Sequence, residues 1–266
     1  SPHRSNITVQ IQVAQFGIDQ KIIVVRDVTE RQRVEKMRQT FIADVSHELR
    51  TPLTVIAGYL ELLESEPEIS ERLKKQISNA SQQAGRMQKI LEDLLMLSKL
   101  EEKGHRRQSG SAVDMASLIS KQASDFSKTR ARDTHQFELY LDESLLIRAV
   151  ESELFSLCQN LLSNAVKYSP QGSIIRVSWQ KSPEGYPVLS VEDNGEGIAS
   201  HHLDRLTERF YRTDQSRSVN TGGTGLGLAI VKHVLLRHDA KLEIQSKLGQ
   251  GSEFICHFAL SRLHIE

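Results

Sequence analysis

His47 and Glu48 stand side by side in the stretch Ser46-His47-Glu48-Leu49-Arg50-Thr51-Pro52-Leu53-Thr54, which has a helical pattern. An imidazole beside a carboxylate is suited to group transfer. The carboxylate can accept the Nδ1 proton, which leaves Nε2 a nucleophile near neutral pH. At ~100° per residue His47 falls about 160° from the apolar seam of its helix, and Thr51, one turn on, points the same way. Glu48 lies on the flank. Pro52 removes one backbone hydrogen bond, costs ~3 kcal/mol in a helix and is expected to bend it just after this patch. A lone outward histidine on a helix is ordinarily plain surface. The costly proline beside a histidine–carboxylate pair argues for chemistry.

Two of three later strings suit a polyphosphate. In Asn160-Leu161-Leu162-Ser163-Asn164-Ala165-Val166-Lys167-Tyr168, the residues Asn160, Asn164 and Lys167 recur at i, i+4 and i+7 on one helix face. Two carboxamide oxygens and an ammonium on one stripe suit hydrated Mg²⁺ and phosphate, although a solvated helix face would look the same. Asp193-Asn194-Gly195-Glu196-Gly197-Ile198 follows a strand and, taken alone, is a turn with an acidic residue. Gly222-Gly223-Thr224-Gly225-Leu226-Gly227-Leu228 opens a helix, where free amides without a Cβ in the way form an anion site. No Gly-Lys-Ser/Thr follows and no βαβ unit surrounds it, which excludes the P-loop and the dinucleotide fingerprint.

These groups need elements to hold them. The 266 residues suggest two domains, at roughly 150 residues each. With 38% hydrophobic and 26% charged residues the chain is a soluble, folded one rather than a disordered one. Lys+Arg and Asp+Glu both number 34, so charge does not drive nucleic-acid binding, and none is expected directly. No stretch approaches the ~20 apolar residues of a membrane span, and no signal peptide is visible. The chain starts Ser1-Pro2, which suggests a processed or excised fragment. Cys158 and Cys256 form no CxxC and are expected to be reduced, buried, inert thiols of a cytosolic chain.

Residues 6–26 read as two strands: Ile7, Val9, Ile11 and Val13 alternate, Phe16-Gly17-Ile18-Asp19 turns, and Ile22-Ile23-Val24-Val25 is a short apolar run. Two strands cannot bury a core, so they either pack elsewhere on this chain or end a domain whose beginning is missing. Asp27 or Thr29 can then cap a helix whose apolar seam is Ile42, Val45, Leu49, Leu53, Ile56, Leu60 and Leu63. Glu66-Pro67-Glu68 breaks it, Ser70 can cap the next helix, and Leu73, Ile77, Ala80, Ala84, Met87, Leu91 and Leu94 form a second seam. Residues 30–102 are thus an antiparallel helical hairpin. Its seams are most easily covered by a second copy in a four-helix bundle, or else by the rest of the same chain. Residues 103–112 read as a linker. Beyond them lie helices at Asp114–Arg130, Glu151–Tyr168 and Gly225–Arg237, and strand patterns at Phe137–Leu141, Ser173–Gln180, Pro187–Glu192, Leu242–Gln245 and Phe254–Phe258. Strands and helices are segregated, which makes this part an α+β sandwich.

The string around His47 resembles the phosphoacceptor box of two-component sensor histidine kinases, in the subgroup with His-Glu-x-x-Thr. The three later strings resemble the N, G1 and G2 boxes of the ATP-binding fold (GHKL, or Bergerat) that these kinases share with type II topoisomerases, Hsp90 and MutL. Glu208-Arg209-Phe210-Tyr211-Arg212 resembles the F box, residues 213–222 the ATP lid, and Gly249-Gln250-Gly251-Ser252 the final glycine box.

The resemblance implies that His47 is the phosphoacceptor, Glu48 its general base, and Thr51 the group that positions water for dephosphorylation of the partner, with Arg50 in the same catalytic set. It implies ATP and Mg²⁺ at Asn160, Asn164, Lys167, Tyr168, Asp193, Gly195, Gly197, Ile198, Arg209, Phe210, Gly223, Thr224, Gly225, Leu226, Gly227, Leu228 and Ser252. Asn160 would hold the metal, Asp193 would accept from the adenine amino group, and Lys167 and Arg209 would steady the phosphates. The implied organisation is a PAS-like remnant at 1–26, a dimerising phosphotransfer hairpin at 27–103, a linker at 104–112 and a catalytic domain at 113–266. The implied partners are a second copy and the receiver domain of a response regulator, and the parent protein would be held at the bacterial inner membrane. Leu206–Arg212, Thr221-Gly222-Gly223 and Ala229-Ile230-Val231-Lys232-His233 look most like the phosphate-regulon branch of the family. A nucleotide-gated clamp or chaperone of the same ATP fold, without phosphohistidine, is the alternative that the His47 hairpin argues against.

Overall fold

A computed structural model describes residues 7–16, 20–64, 66, 69–101, 110–129, 135–213 and 223–264; some side chains within its helices, that of His47 among them, lie outside the description. The chain opens on an antiparallel ribbon of β1 (Val9–Phe16) and β2 (Gln20–Asp27), exposed along its whole length. The expected turn at 17–19 lies outside the described residues. Asp27 Oδ1 accepts the Thr29 amide at 2.9 Å and its hydroxyl at 2.6 Å. The Thr8 amide donates to Thr29 Oγ1 at 2.9 Å, which ties the ribbon to the helix start.

That helix, α1 (Thr29–Glu64), continues through Pro52. The Ser70 carbonyl accepts from the Leu73 and Lys74 amides and so starts α2 (Glu71–Glu101). Between the two helices Leu53, Ala84 and Leu91 are buried, with Ala57 and Leu60 against them. The expected seams are only half used, because one helix covers one stripe of its neighbour. Leu49, Ile56, Leu63, Leu73 and Met87 remain exposed. No helix among the described residues is long and apolar enough to cross a membrane.

The second core belongs to β3 (Ser111–Asp114), α3 (Met115–Thr129), β4 (Gln136–Leu141), β5 (Leu146–Ala149), α4 (Glu151–Tyr168), β6 (Ile174–Lys181), β7 (Pro187–Asp193), α5 (Ser200–Leu203), α6 (Gly227–Arg237), β8 (Ala240–Lys247) and β9 (Gly251–Phe258). Five strands form one sheet in the order β4-β6-β7-β9-β8, with β4-β6 parallel and the other pairs antiparallel. The linker ends sooner than the sequence suggests. Ser111 and Ala112 already pair with Ala149 and Arg148, in a short β3-β5 ribbon. The α6 helix starts two residues later than the sequence suggests, at Gly227.

Strand alternation turns Ile175, Val177 and Trp179 of β6 and Phe254, Cys256 and Phe258 of β9 inward. They meet Leu154, Leu157 and Leu161 of α4 and Ile230, Val231 and Val234 of α6. The Trp179 indole is fully buried, donates to the Leu145 carbonyl at 3.0 Å and meets the Phe258 ring edge-on at 5.7 Å. Both free thiols lie in this core. Burial pushes Cys158 up to about 12, and burial together with the nearby Cys158 raises Cys256. The end of α2 enters the same core through Leu97 and Leu100.

Helix α4 has no side-chain cap at Val150. The Val150 amide instead donates to Nε2 of His238, at the end of α6, and His238 Nδ1 donates to the Val234 carbonyl at 2.8 Å. Both ring nitrogens are used by the neutral ring, and burial lowers its pKa from 6.5. Below that pH the unfolded chain takes up a proton that the native ring resists, so stability falls as pH drops. The slope approaches about 1.4 kcal/mol per pH unit until the native ring titrates. Thermal unfolding should therefore show a falling Tm from about pH 7 to pH 5, with a shallower slope in His238→Asn. Equal slopes in both proteins would remove His238 from this account.

Candidate functional site

A cavity of about 700 Å³ lies where α4, the end of β7, the start of α6 and the end of α2 meet. Asn160, Asn164 and Lys167 reach it from one face of α4. The Asn160 amide donates to the Ser156 carbonyl at 2.8 Å, and this turns Oδ1 toward Gly227. A Cβ on Gly227 would lie 2.6 Å from that oxygen, so a larger residue there would displace the Asn160 carboxamide. A carboxamide oxygen fixed by its own amide, beside an uncapped helix start, fits a hard cation shared with phosphate. Lys167 Nζ donates to the Tyr168 hydroxyl at 3.0 Å and lies 4.6 Å from that ring's centroid.

At the other end Asp193 is 7% exposed. Burial raises its pKa, against backbone amides of Gly195 and Ser252 that lower it. The Gly195 amide donates to Oδ1 at 2.9 Å. Such a carboxylate is a strong, poorly solvated acceptor, suited to an exocyclic amine. Gly197 has φ +65°, and the Glu196 carbonyl beside it accepts the Gly249 amide at 2.7 Å, which stitches this loop to the β8–β9 turn. The Leu226 amide donates to Thr224 Oγ1 at 3.2 Å just before α6.

One pocket thus has a buried carboxylate at one end, helix-start amides with an ammonium at the other, and apolar Ile198 and Phe254 in its walls. Two family models match the chain: "His Kinase A (phospho-acceptor) domain" over residues 37–103, and "Histidine kinase-, DNA gyrase B-, and HSP90-like ATPase" over residues 149–262. The chain belongs to the sensor histidine kinase family.

Within that family it is 46% identical to the phosphate regulon sensor protein PhoR of Pseudomonas aeruginosa, over 97% of this chain and 58% of that protein. It is 36% identical to PhoR of Haemophilus influenzae, over 92% of this chain and 57% of the relative. The chain therefore spans little more than half the length of these relatives. Among solved structures it is similar to full-length ShkA in complex with AMPPNP, with TM-score 0.67 and 25% identity over 82% of this chain and 45% of that one. The fold is also that of the Acinetobacter baumannii histidine kinase AdeS, with TM-score 0.57 and 24% identity over 81% of this chain and 98% of that one.

Most of the residues suggested by the family's boxes come together. Asn160, Asn164, Lys167, Tyr168, Asp193, Gly197, Ile198, Gly223, Thr224, Gly225, Gly227, Leu228 and Ser252 all line the cavity. Four do not. Gly195 serves Asp193 from behind through its amide, and Leu226 is fully buried in the core. Phe210, at φ +62°, is 59% exposed, and Arg209 is ion-paired with Glu101 at the end of α2. Arg212 lines the cavity instead and donates to the Gly223 carbonyl at 3.0 Å.

In the hairpin, Glu48 and Thr51 of α1 are exposed and Arg50 is half-buried, while the His47 side chain lies outside the described residues. So does the lid, apart from Thr213. Lys89 and Asp93 of α2 also stand at the cavity. Nothing in their spacing marks them, because their part in the pocket depends on how the hairpin docks.

Proposed function

We propose that this chain is the phosphotransfer and catalytic part of an ATP-dependent protein-histidine kinase of a phosphate-responsive two-component system. The observation that carries this reading is the single cavity shared by the Asn160–Lys167 stripe, Asp193 and the start of α6, in a chain that also holds a phosphoacceptor domain. In this reading Asp193 accepts from the adenine amino group, while Lys167 and the amides opening α6 steady the phosphates. Mg²⁺ held at Asn160 would offset charge on the phosphates when bound.

Glu48 holds the Nδ1 proton of His47, so Nε2 attacks the γ-phosphorus. The N–P bond forms, the bond to the β–γ bridging oxygen breaks, and ADP leaves. The phosphoryl group then passes to an aspartate of a receiver domain, where the N–P bond breaks and an acyl phosphate forms. Thr51 orients water against that acyl phosphate when the regulator is dephosphorylated.

The exposed Leu49, Ile56, Leu63, Leu73 and Met87 favour a homodimeric four-helix bundle, and the β1-β2 ribbon, exposed on both faces, favours a PAS-like domain that ends there. The parent protein is proposed to be membrane-anchored. Incubation with γ-labelled ATP and Mg²⁺ tests the reading. The label should be retained in base and lost in acid, as a phosphoramidate is. Base-labile, acid-stable label, or none, would overturn it.

A further inference from the structure

Two groups at the nucleotide cavity come from the helical hairpin. Asp93 of α2 is 3% exposed, and its Oδ1 lies 3.0 Å from Nζ of Lys89, one turn back. Its Oδ2 accepts the Thr224 hydroxyl at 2.9 Å. The same Thr224 oxygen accepts the Leu226 amide, so one hydroxyl connects a hairpin carboxylate to the start of α6. The start of α6 and the Lys89 ammonium both lie beside this carboxylate. The carboxylate is a fixed negative charge at the end of the cavity where the helix-start amides receive phosphate. The joint continues at the end of α2, where Glu101 pairs with Arg209 and lies 3.3 Å from Nε2 of His233.

We propose that Asp93, tuned by Lys89, is a specificity-determining residue that sets the preference between nucleoside triphosphate and diphosphate. The docked hairpin accepts a diphosphate. The additional negative charge of a triphosphate is repelled by Asp93, competes for Thr224 and loosens α2 from the ATP-binding domain. Nucleotide state is thereby coupled to the freedom of that domain to leave the hairpin. This inference rests on the reading of the cavity as an ATP site.

Titration calorimetry of the whole chain with ADP and with AMPPNP tests it. Asp93→Asn keeps the size and an acceptor toward Thr224. It should raise AMPPNP affinity about tenfold while ADP affinity stays within about twofold. Lys89→Met leaves the carboxylate uncompensated and should weaken AMPPNP about fivefold more than ADP. A merely structural role would move both nucleotides together. Parallel shifts, or no shift in either variant of a wild type that binds both nucleotides, would overturn the inference alone. A wild type that binds neither would overturn the ATP reading and this inference with it.

Discussion

Replacing His47 by alanine should remove the phosphorylated product altogether, a loss of more than about 10³-fold, while ATP affinity should stay within about twofold. The two effects should separate because the proposed acceptor and the proposed nucleotide cavity belong to different elements. Among the described residues, none that lines the cavity comes from α1. Alanine is also a strong helix former, so α1 persists. Label incorporation and calorimetric ATP binding on one preparation check both halves, and label that persists on the variant removes His47 from the mechanism. Thr51→Ala is the companion variant. Thr51 is exposed on α1, so its truncation should shift stability by well under about 1 kcal/mol. Autophosphorylation should be kept and regulator dephosphorylation lost. Equal loss of both activities would mean damage to the helix.

Gly197→Val should be the most damaging small change in the nucleotide domain. At φ +65° a β-branched residue costs about 1–2 kcal/mol in the backbone alone. The added Cβ would also lie 2.0 Å from the Lys247 carbonyl oxygen, and a backbone atom in a paired strand cannot swing aside. We expect a loss of about 3–5 kcal/mol in domain stability and at least about a hundredfold in ATP affinity. Gly172→Ala isolates the backbone share, since Gly172 has φ +82° with nothing within 4 Å of the Cβ position. Its cost should stay near about 1–2 kcal/mol and leave nucleotide binding unchanged. Chemical denaturation of both variants checks the difference. Similar losses would show that the turn after β8 yields to the added carbon.

The parts legible from sequence are those with a period or a dense local signal. The apolar stripe of Leu154, Leu157, Leu161 and Ala165 marks α4 from Glu151 to Tyr168, as found. The glycine strings mark the loops at the cavity because close backbone approach leaves few alternatives to glycine. The strand β5 escapes because four residues hold too little alternation to be seen, and it draws Ser111 and Ala112 out of the expected linker. The hairpin seams were readable, but not their division into a covered and an exposed half. That depends on which stripe the second helix occupies. Arg209 is expected at the phosphates only through the resemblance of its string to the F box, yet here it pairs with Glu101, more than a hundred positions earlier. Asp93 is hidden for the same reason: a single polar contact between distant elements leaves no pattern in either.

The solitary indole has a spectroscopic consequence. With Trp179 the only tryptophan in the chain, emission excited near 295 nm reports the sheet of the nucleotide domain and is blind to the coil of α1 and α2. Ellipticity near 222 nm draws more on those two helices, of 36 and 31 residues, than on the shorter helices of the nucleotide domain. The two optical signals therefore weight the two halves of one molecule differently. Leu97 and Leu100 carry the end of α2 into the core around the indole, so the gap between the two melting curves measures how firmly the hairpin and the domain are joined. Nucleotide titrated during such a melt would show that joint tightening or loosening without any label on the protein.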